Sequence, residues 1–251
     1  MKALILNSGR GTRMGALTGM RPKCLCPIGG GHTILSRQLA QLVQAGIREA
    51  VITVGPFAKM LKAHVQALSL PLYVTYVPNP LYRRTNYIYS MHLAAPHLGE
   101  DMLLLHGDLV LDTGVLAELA AGGGSAVAVD AGLPQPEKDF KARVEGGRVL
   151  EIGVNLFGEN CVACQPAYFW RRGDLARWLE EIGAFCREGR VGVYAEDAFN
   201  ARAGEIFLRP LELGGRLCRE VDTPADLAEV IRFFEENHRG AYVGKKEARL
   251  V

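Results

Sequence analysis

Long apolar runs are missing from this chain of 251 residues. No stretch approaches the roughly 20 consecutive apolar residues that a transmembrane helix needs. The apolar run that opens the chain, Leu4 to Leu6, is also too short for a secretory signal peptide. We therefore expect no membrane span and a cytoplasmic protein.

A basic arm is missing as well. The chain has 29 lysines and arginines against 27 aspartates and glutamates, and both signs are spread along its whole length, for a net charge of +2. A protein that binds a nucleic-acid backbone concentrates its positive charge on one face or in one tail. We therefore expect no nucleic-acid partner, and we expect any phosphate-bearing ligand to be small and held at one local site.

Proline-rich linkers, low-complexity tracts and internal repeats are absent too. With 49% hydrophobic and 22% charged residues, the composition is that of an ordinary globular chain. We predict one domain over residues 1–251, with residues 239–251 as a candidate loose tail. Nothing in the sequence indicates an oligomeric state.

The six cysteines do not form an obvious metal site. Cys24 and Cys26 are one pair, and Cys161 and Cys164 are a second pair that has the spacing of a zinc knuckle. The two pairs are far apart in sequence, and both lie in strand-like apolar surroundings. This context favours buried thiols, with a zinc site as the alternative.

Short aliphatic runs alternate with amphipathic segments, which indicates βα units. Nearly continuous aliphatic character predicts buried strands at residues 2–6, 50–54, 72–77, 102–106 and 125–129. Helical periodicity predicts helices at residues 33–45, 58–68, 86–98, 113–120, 172–187 and 223–237. Candidate N-caps precede three of these helices, at Thr33, at Asp112-Thr113 and at Asp222-Thr223.

The pattern changes after residue 130. Residues 140–144 and 149–154 flank the turn Glu145-Gly146-Gly147-Arg148, which predicts a β-hairpin added to the sheet. Together these elements predict an α/β protein of Rossmann-like, three-layer α/β/α architecture. Its central sheet should be mixed and mostly parallel.

A glycine-rich, cationic loop follows the first predicted strand. Its sequence is Leu6-Asn7-Ser8-Gly9-Arg10-Gly11-Thr12-Arg13. Glycines leave room for an anion beside the backbone N–H groups, and Pro22 fixes the backbone before a second cation, Lys23. The spacing is neither that of the dinucleotide fingerprint nor that of the P-loop. Amides and two cations in this arrangement suit a triphosphate.

The loop resembles the opening signature of the nucleotidyltransferases that make activated sugars and head groups, Gly-x-Gly-Thr-Arg-(Met/Leu) followed by Pro-Lys. Here the signature is Gly9-Arg10-Gly11-Thr12-Arg13-Met14 and Pro22-Lys23. The resemblance implies catalytic roles for Lys23 and Arg13. It also implies a nucleotide-binding loop made of Leu6, Asn7, Ser8, Gly9, Gly11 and Thr12.

The resemblance continues further along the chain. His106-Gly107-Asp108 matches the family's metal-binding aspartate, and the segment from Glu220 to Leu227 resembles its closing motif. This implies that Asp108 and Asp222 hold Mg²⁺ and that Gly107 contacts the nucleotide. The alternative for Asp222 is a helix cap only.

The loop departs from the family's pattern at the residues that line the base. Family members usually have Ala-Gly-Gly or Gly-Gly, lining the base, where this chain has Asn7-Ser8-Gly9. Asn86 and Ser90 resemble polar residues near the nucleotide in the cytidylyltransferases that act on phosphocholine. Their amide and hydroxyl groups are able to hydrogen-bond cytosine. The alternative is that Asn86 is an N-cap and Ser90 a surface residue.

The acceptor site is predicted from the same resemblance. It implies that a loop over residues 194–200 faces the acceptor, where Tyr194, Glu196 and Asp197 combine an aromatic ring with carboxylates and suit a cationic head group. Lys141 is the candidate ligand for the acceptor's phosphate or phosphonate, with a solvated strand-end lysine as the alternative. The six histidines form no ligand-like cluster, and we assign none of them a catalytic role.

The expected reaction is transfer of CMP from CTP to a small phosphorylated or phosphonate head group of the phosphocholine or 2-aminoethylphosphonate type, with release of pyrophosphate and with Mg²⁺ as cofactor. Two alternatives stay open: a sugar-1-phosphate nucleotidylyltransferase that uses UTP, dTTP or GTP, and a nucleotide-sensing module without catalysis. A dinucleotide-dependent oxidoreductase is disfavoured, because the loop lacks the complete fingerprint and its acidic residue.

Overall fold

The computed structural model describes residues 1–9 and 11–247, and it describes the backbone but not the side chains of Ala16 and of residues 237–247. Arg10 of the glycine-rich loop therefore lies outside the described residues. The strands are β1 Lys2–Asn7, β2 Pro27–Gly29, β3 His32–Thr33, β4 Glu49–Val54, β5 Tyr73–Pro78, β6 Met102–His106, β7 Leu109–Leu111, β8 Ala126–Asp130, β9 Lys141–Glu145, β10 Arg148–Gly153, β11 Cys161–Trp170, β12 Arg209–Glu212 and β13 Cys218–Glu220. The helices are α1 Ile34–Gln44, α2 Ala58–Ala67, α3 Tyr87–Ala94, α4 Val115–Ala121, α5 Arg172–Arg187, α6 Ala195–Arg202 and α7 Pro224–Glu247.

Nine strands form the central sheet in the order β10-β9-β11-β6-β1-β4-β5, with β8 pairing with β11 and β12. Strands β6, β1, β4 and β5 are parallel, whereas β11 runs antiparallel to β6, β8 and β9. Strands β9 and β10 are the predicted hairpin, paired antiparallel at one edge. The prediction of a mixed, mostly parallel sheet with an added hairpin is confirmed.

Alternate residues of the central strands pack on opposite faces of the sheet, because successive side chains of a strand point to opposite sides. In β1, Leu4 and Leu6 belong to the core that includes residues of α3, α5 and α6. Ala3 and Ile5 belong to the core that includes residues of α1, α2 and α4. Both faces are therefore buried under helices, as the nearly continuous aliphatic strands predict.

Helix ends agree with the predicted caps at one position and differ at another. Thr33 caps α1, since its hydroxyl accepts a hydrogen bond from Ser36 N at 3.1 Å. The prediction for α4 is wrong: Gly114 is the N-cap, and the Asp112 carboxylate accepts from Leu217 N at 3.0 Å instead. This hydrogen bond connects Asp112, which follows β7, to Leu217, which precedes β13.

The last helix is longer than its predicted range, because α7 continues to Glu247. The helical backbone of residues 239–247 neither supports nor contradicts a loose tail, so that prediction and the single-domain prediction stay predictions. Over the described residues, no helix combines the length and the apolar character that crossing a bilayer requires. The cytoplasmic location likewise stays a prediction.

The carboxyl ends of β1 and β6 meet at one edge of the sheet, since these strands are parallel neighbours with Leu6 opposite His106. The strand order reverses beside β1, because β4 and β5 lie on one side of β1 whereas β6 lies on the other. In open α/β sheets a ligand crevice forms where the strand order reverses. The loop after β1 and the loop after β6 are therefore placed together at a ligand crevice.

Candidate active site

The loop after β1 is shaped by glycines and short 3-10 turns. Gly11 has φ +65°, a left-handed value that favours glycine, and a Cβ there would lie 3.0 Å from Lys23 Cβ. The Thr18 hydroxyl donates to Gly11 O at 2.8 Å and closes the segment. Lys23 follows Pro22, whose extended backbone begins a 3-10 turn. The glycine conformation therefore lets Lys23 pack directly against the loop.

Four charged side chains converge beside this loop. Lys23 Nζ lies 2.5 Å from Asp108 Oδ2 and 2.6 Å from Asp222 Oδ1. The Arg13 guanidinium lies 2.6 Å from the other oxygen of Asp222. The two predicted metal-binding carboxylates thus meet at a single ammonium group, although they come from distant parts of the chain.

Pairing of the short strands β7 and β13 brings Asp222 to Asp108. Leu109 lies opposite Glu220 in this pair, and Val221 N donates to Asp108 O at 2.9 Å. The cap-only alternative for Asp222 is wrong, because Asp226 Oδ2 accepts the backbone N–H groups of residues 222 and 223 at the start of α7. The carboxylate of Asp222 is left for the cations.

Burial and charge oppose each other in this cluster. Burial alone would lower the pKa of Lys23, but Asp108 and Asp222 outweigh it and raise that pKa. Burial alone would raise the pKa of Asp108, but Lys23 and His106 outweigh it and lower that pKa. The cluster therefore holds Lys23 as an ammonium and Asp108 as a carboxylate.

The first cavity at this edge, the loop pocket, contains most of the predicted nucleotide contacts. Its wall consists of Leu6, Asn7, Gly9, Gly11, Thr12, Arg13, Pro22, Lys23, Gly107, Asp108 and Asp222. Gly107 is required by close packing, because a Cβ there would lie 1.9 Å from Asn7 Oδ1. Asn7 Nδ2 and Asp108 Oδ1 are buried polar atoms without a hydrogen-bond partner among the described residues. Buried polar groups are normally paired, so both atoms are candidates for ligand contacts.

A second cavity, the amide pocket, adjoins the first through Leu6, Gly9 and Asp108. Its other wall residues are Ser8, Asn79, Tyr82, Thr85, Asn86, Tyr87 and His106. Asn86 lines the pocket and also caps α3, since its side-chain oxygen accepts from Tyr87 N at 2.7 Å. Ser90 is fully buried and hydrogen-bonds Ser8, so it is not a surface residue. Ser90 lies behind the pocket wall rather than in it.

The third cavity, the charged cleft, shares Asp108 with the other two. Its wall consists of Arg13, Asn86, Tyr87, His106, Asp108, Lys138, Asp139, Phe140, Val154, Tyr194, Glu220 and Asp222. The ring of Tyr194 packs against Phe140 at 5.0 Å and against Tyr87 at 5.9 Å between ring centroids. Burial and the charge of Asp222 raise the pKa of Asp139. Aromatic rings, carboxylates and cations are therefore combined around one small space.

The predicted acceptor residues divide into one that lines this cleft and three that do not. Tyr194 lies in its wall. Residues 195–202 are helix α6, so the predicted loop there is wrong. The carboxylate of Asp197 caps that helix by accepting from Tyr194 N at 3.0 Å.

Glu196 and Lys141 are buried. Glu196 accepts hydrogen bonds from the hydroxyls of Tyr87 and of Tyr168, the latter at 2.8 Å. Lys141 Nζ donates to Pro136 O at 2.5 Å and to Val154 O, and its side chain is fully buried. The solvated alternative for Lys141 is therefore wrong. Lys141 joins the two loops that carry the cleft residues.

One group of side chains has the donors for a metal ion besides the aspartate pair. Ligand atoms of His106, Asp108 and Glu220 lie within 4.8 Å of one another, and His106 Nδ1 is 3.0 Å from Glu220 Oε1. Burial, together with the charge of Asp108, raises the pKa of Glu220 to about 7. The cysteines do not form such a group in the part of the chain that the structure describes, and all six are free thiols.

Several site residues were not predicted from the sequence. Asn79, Thr85, Lys138, Asp139, Phe140 and Glu220 line the cavities without an assigned role. Asp139 and Phe140 lie at the start of the predicted hairpin, next to Lys141, and Glu220 is two residues before Asp222, so proximity to predicted site residues was the available signal. His106 is two residues before Asp108, at the carboxyl end of β6, and the same signal applied to it.

Comparison with known proteins gives a family and a fold. A family model described as the MobA-like NTP transferase domain matches residues 3–192. The CMP-5'-(3-aminopropyl)phosphonate synthase of Streptomyces rubellomurinus is 35% identical over 151 residues, which is 60% of this chain and 24% of that protein. The bifunctional IPC transferase and DIPP synthase of Rubrobacter xylanophilus is 30% identical over 229 residues, 90% of this chain and 50% of that protein. The chain thus spans only a quarter to a half of these curated relatives.

Among solved structures, the CTP:phosphocholine cytidylyltransferase of Streptococcus pneumoniae superimposes with a TM-score of 0.77 at 20% identity. The match covers 93% of this chain and 98% of that one. At this identity the likeness concerns the fold. It supports the α/β architecture described above.

Proposed function

The chain belongs to the MobA-like NTP transferase domain family, and on that premise we propose that it is a cytidylyltransferase. In the proposed reaction an oxygen of a small phosphate or phosphonate acceptor attacks the α-phosphorus of CTP. A new phosphorus–oxygen bond forms, the α–β anhydride bond breaks, and pyrophosphate leaves. The carrying observation is that the Lys23, Asp108 and Asp222 cluster lies between a loop pocket suited to phosphates and a charged cleft suited to an acceptor.

The donor set at this cluster fits a divalent cation of the Mg²⁺ type. Asp108 and Asp222 offer carboxylate oxygens on one side of the loop pocket, and Asp108 Oδ1 is buried without a partner among the described residues. Magnesium prefers oxygen ligands from one or two carboxylates together with substrate phosphates. When bound, such an ion would neutralise phosphate charge.

Lys23 and Arg13 have distinct proposed roles. Lys23 is largely buried between the carboxylates, whereas the Arg13 side chain is 67% exposed at the pocket mouth. We assign Lys23 to the negative charge that develops at the α-phosphate and Arg13 to the departing pyrophosphate. An acceptor oxyanion needs no general base, so alignment and charge neutralisation carry the catalysis.

The charged cleft supports an acceptor with both charges. Arg13 and Lys138 offer positive charge for a phosphate or phosphonate end, and Asp139 and Glu220 offer carboxyl oxygens for an ammonium end. The rings of Tyr87, Phe140 and Tyr194 add apolar and cation–π contact. We therefore propose that the acceptor is an aminoalkylphosphonate or a phosphocholine-type head group. The name of the Streptomyces relative contains one such group, (3-aminopropyl)phosphonate.

A substrate panel tests this proposal. Pyrophosphate release is measured with CTP, UTP, dTTP and GTP, each against 3-aminopropylphosphonate, 2-aminoethylphosphonate, phosphocholine and glucose-1-phosphate. We expect turnover with CTP and with one or more of the three acceptors that carry an ammonium group. Turnover on glucose-1-phosphate alone would favour the sugar-nucleotide alternative, and nucleotide binding without turnover on any acceptor would favour the sensing module.

A further inference from the structure

Four polar side chains form a hydrogen-bonded chain that ends at the wall of the amide pocket. Thr85, Asn79, Ser90 and Ser8 follow one another, with Asn79 Nδ2 3.1 Å from Thr85 Oγ1 and 2.9 Å from Ser90 Oγ. Ser90 Oγ is 2.6 Å from Ser8 Oγ. Because Ser8, Asn79 and Ser90 are buried, the position of each hydrogen is constrained by its neighbours.

The orientation of the Asn79 amide is fixed by a backbone donor. Leu81 N lies 2.8 Å from Asn79 Oδ1, and a backbone N–H can only donate. The oxygen of the amide must therefore face Leu81. Both hydrogens of Nδ2 are then donated, one to Thr85 and one to Ser90.

The two hydroxyl groups that accept from Asn79 must each donate elsewhere. Thr85 donates to Leu81 O at 3.0 Å. For Ser90, which is fully buried, the only other hydrogen-bond partner within residues 1–9 and 11–247 is Ser8. Ser90 therefore donates to Ser8, because the reverse direction would leave a buried hydroxyl hydrogen unpaired.

The consequence is that the Ser8 oxygen accepts from inside the protein and its hydrogen is available to a ligand. Ser8 lines the amide pocket. Its backbone is held by close packing, since a Cβ at Gly55 would lie 2.2 Å from Ser8 O. Ser8 thus presents a hydroxyl whose hydrogen is directed by Ser90 and Asn79.

If the proposed function holds, the amide pocket binds the nucleobase. The identity of the ligand in this inference rests on that proposed function. The wall of the pocket contains no lysine or arginine within the described part of the chain. A phosphate is therefore better placed in the loop pocket beside Lys23 and Arg13, and a doubly charged acceptor in the charged cleft. The neutral polar groups of the amide pocket match the hydrogen-bonding edge of a base.

We propose that Ser8 donates a hydrogen bond to an acceptor atom of a pyrimidine base, and that Ser90 and Asn79 are positioning residues that fix its direction. Cytosine offers O2 and N3 as acceptors. Uracil offers O2, but its N3 carries a hydrogen. A donor-only hydroxyl at N3 favours cytosine over uracil, whereas one at O2 accepts both bases.

Direct binding of nucleotide, measured by calorimetry without acceptor, tests the inference apart from turnover. We expect Ser8→Ala to bind CTP roughly fivefold to thirtyfold more weakly, as for loss of one hydrogen bond to a partner left unpaired. Ser90→Ala should weaken CTP binding by a smaller factor. The double variant should be no weaker than Ser8→Ala, because Ser90 acts through Ser8.

Ser125→Ala is the matched control, since Ser125 is another fully buried serine whose hydroxyl bonds Asp174 and which lines none of the three cavities. It should leave CTP affinity unchanged. The wild-type protein is also tested with 3-deaza-CTP and 2-thio-CTP, which lack or weaken the acceptor at N3 and at O2. We expect one analogue to bind weakly and to be insensitive to Ser8→Ala.

Normal CTP affinity of Ser8→Ala would overturn the inference, as would wild-type affinity for both analogues equal to that for CTP. If Ser8→Ala does not fold, the analogue measurements on the wild-type protein decide alone. Cytidylyl transfer by a protein whose CTP affinity ignores Ser8 would leave the proposed function standing. Weakened CTP binding by Ser8→Ala in a protein that transfers nothing would leave the inference standing without that function.

Discussion

At the scale of single residues, the ammonium of Lys23 is paired with two carboxylates that are also able to bind a metal cation. Its ammonium is the group that both Asp108 and Asp222 contact directly, at 2.5 and 2.6 Å. In the absence of ligand, the ammonium neutralises a pair of carboxylates that would otherwise repel each other. The same side chain is then available for a phosphate when a divalent ion satisfies the carboxylates.

We expect Lys23→Met to lower turnover by about 10²–10³, the usual cost of removing one preorganised charge contact at a transition state. The variant should also lose stability in the absence of metal and regain it with Mg²⁺ or Mn²⁺, because the carboxylates are left without their central cation. Steady-state kinetics and thermal unfolding with and without metal measure the two effects.

Lys62→Ala is the control for Lys23→Met. Lys62, in α2, lies over the ring of Tyr76 and lines none of the three cavities. Its turnover and its metal response should match the wild type. Near-normal turnover of Lys23→Met would remove this lysine from the mechanism. A metal response equal to that of the wild type would show that the ammonium and the ion do not share the carboxylates.

At the scale of elements, helix α6 supports the charged cleft from behind. Glu196 in its first turn is 1% exposed and accepts from the hydroxyls of Tyr87 and Tyr168. Tyr87 lines both the amide pocket and the charged cleft. The helix therefore acts on the cleft through a tyrosine and not through its own carboxylates.

We expect Glu196→Gln to reduce the free energy of unfolding by about 1–3 kcal/mol. The carboxylate of Glu196 accepts from Tyr87 with one oxygen and from Tyr168 with the other, whereas the amide of glutamine has only one acceptor oxygen and no charge. The KM for the acceptor should rise while the KM for CTP changes less, if the charged cleft binds the acceptor. Urea unfolding and two-substrate kinetics provide the measurements. Asp197→Ala, which removes the capping-box hydrogen bond to Tyr194 N, should lower stability by about 1 kcal/mol and leave both KM values unchanged.

The sequence predicted elements where a local pattern specifies them. Five parallel-type strands and six helices follow from aliphatic runs and helical periodicity, and the hairpin follows from its glycine turn. Helix α6 was missed because it is short and because its buried residues include the charged Glu196 and two small alanines, Ala195 and Ala198, which weakens the amphipathic pattern. Strand β11 was not predicted as an element, although the surroundings of Cys161 and Cys164 were described as strand-like. Pro166 lies inside this strand, where the pairing register shifts between Gln165 and Tyr168.

The site was predictable where a motif marks it. The signature loop, Asp108 and Asp222 were found through resemblance, and the structure brings them together. Lys141 and Glu196 were also placed near the acceptor through resemblance, but burial directs their side chains to backbone carbonyls and to tyrosines. A position next to a site does not specify where a side chain points. That depends on long-range packing, which no local pattern contains.

At the scale of the whole molecule, the core contains almost all of the cysteine. Five of the six thiols are buried, at Cys24, Cys26, Cys161, Cys164 and Cys218, and Cys186 is partly exposed. Burial raises the pKa of Cys24, Cys164 and Cys218 well above the ordinary value for a thiol. The thiolate is the reactive form, so these groups should be inert in the folded protein.

We therefore expect the native protein to react with a thiol reagent at Cys186 only, and to show six reactive thiols after unfolding in denaturant. Absorbance titration with an aromatic disulfide reagent counts them in both states. Cys186→Ser should abolish the reaction of the native protein. Rapid reaction of several thiols without denaturant would contradict the packing of the two cores.

The pairing of β7 with β13 sets the time at which this site becomes complete during synthesis. The signature lysine and the first aspartate leave the ribosome early, whereas Asp222 follows only after β12 and β13. Domains generally begin to fold from the N-terminal end as they emerge. A nascent chain that has formed its parallel strands would thus have Asp108 in place but not Asp222. If the site binds a metal–nucleotide complex, tight binding would require the segment that contains β13 and Asp222.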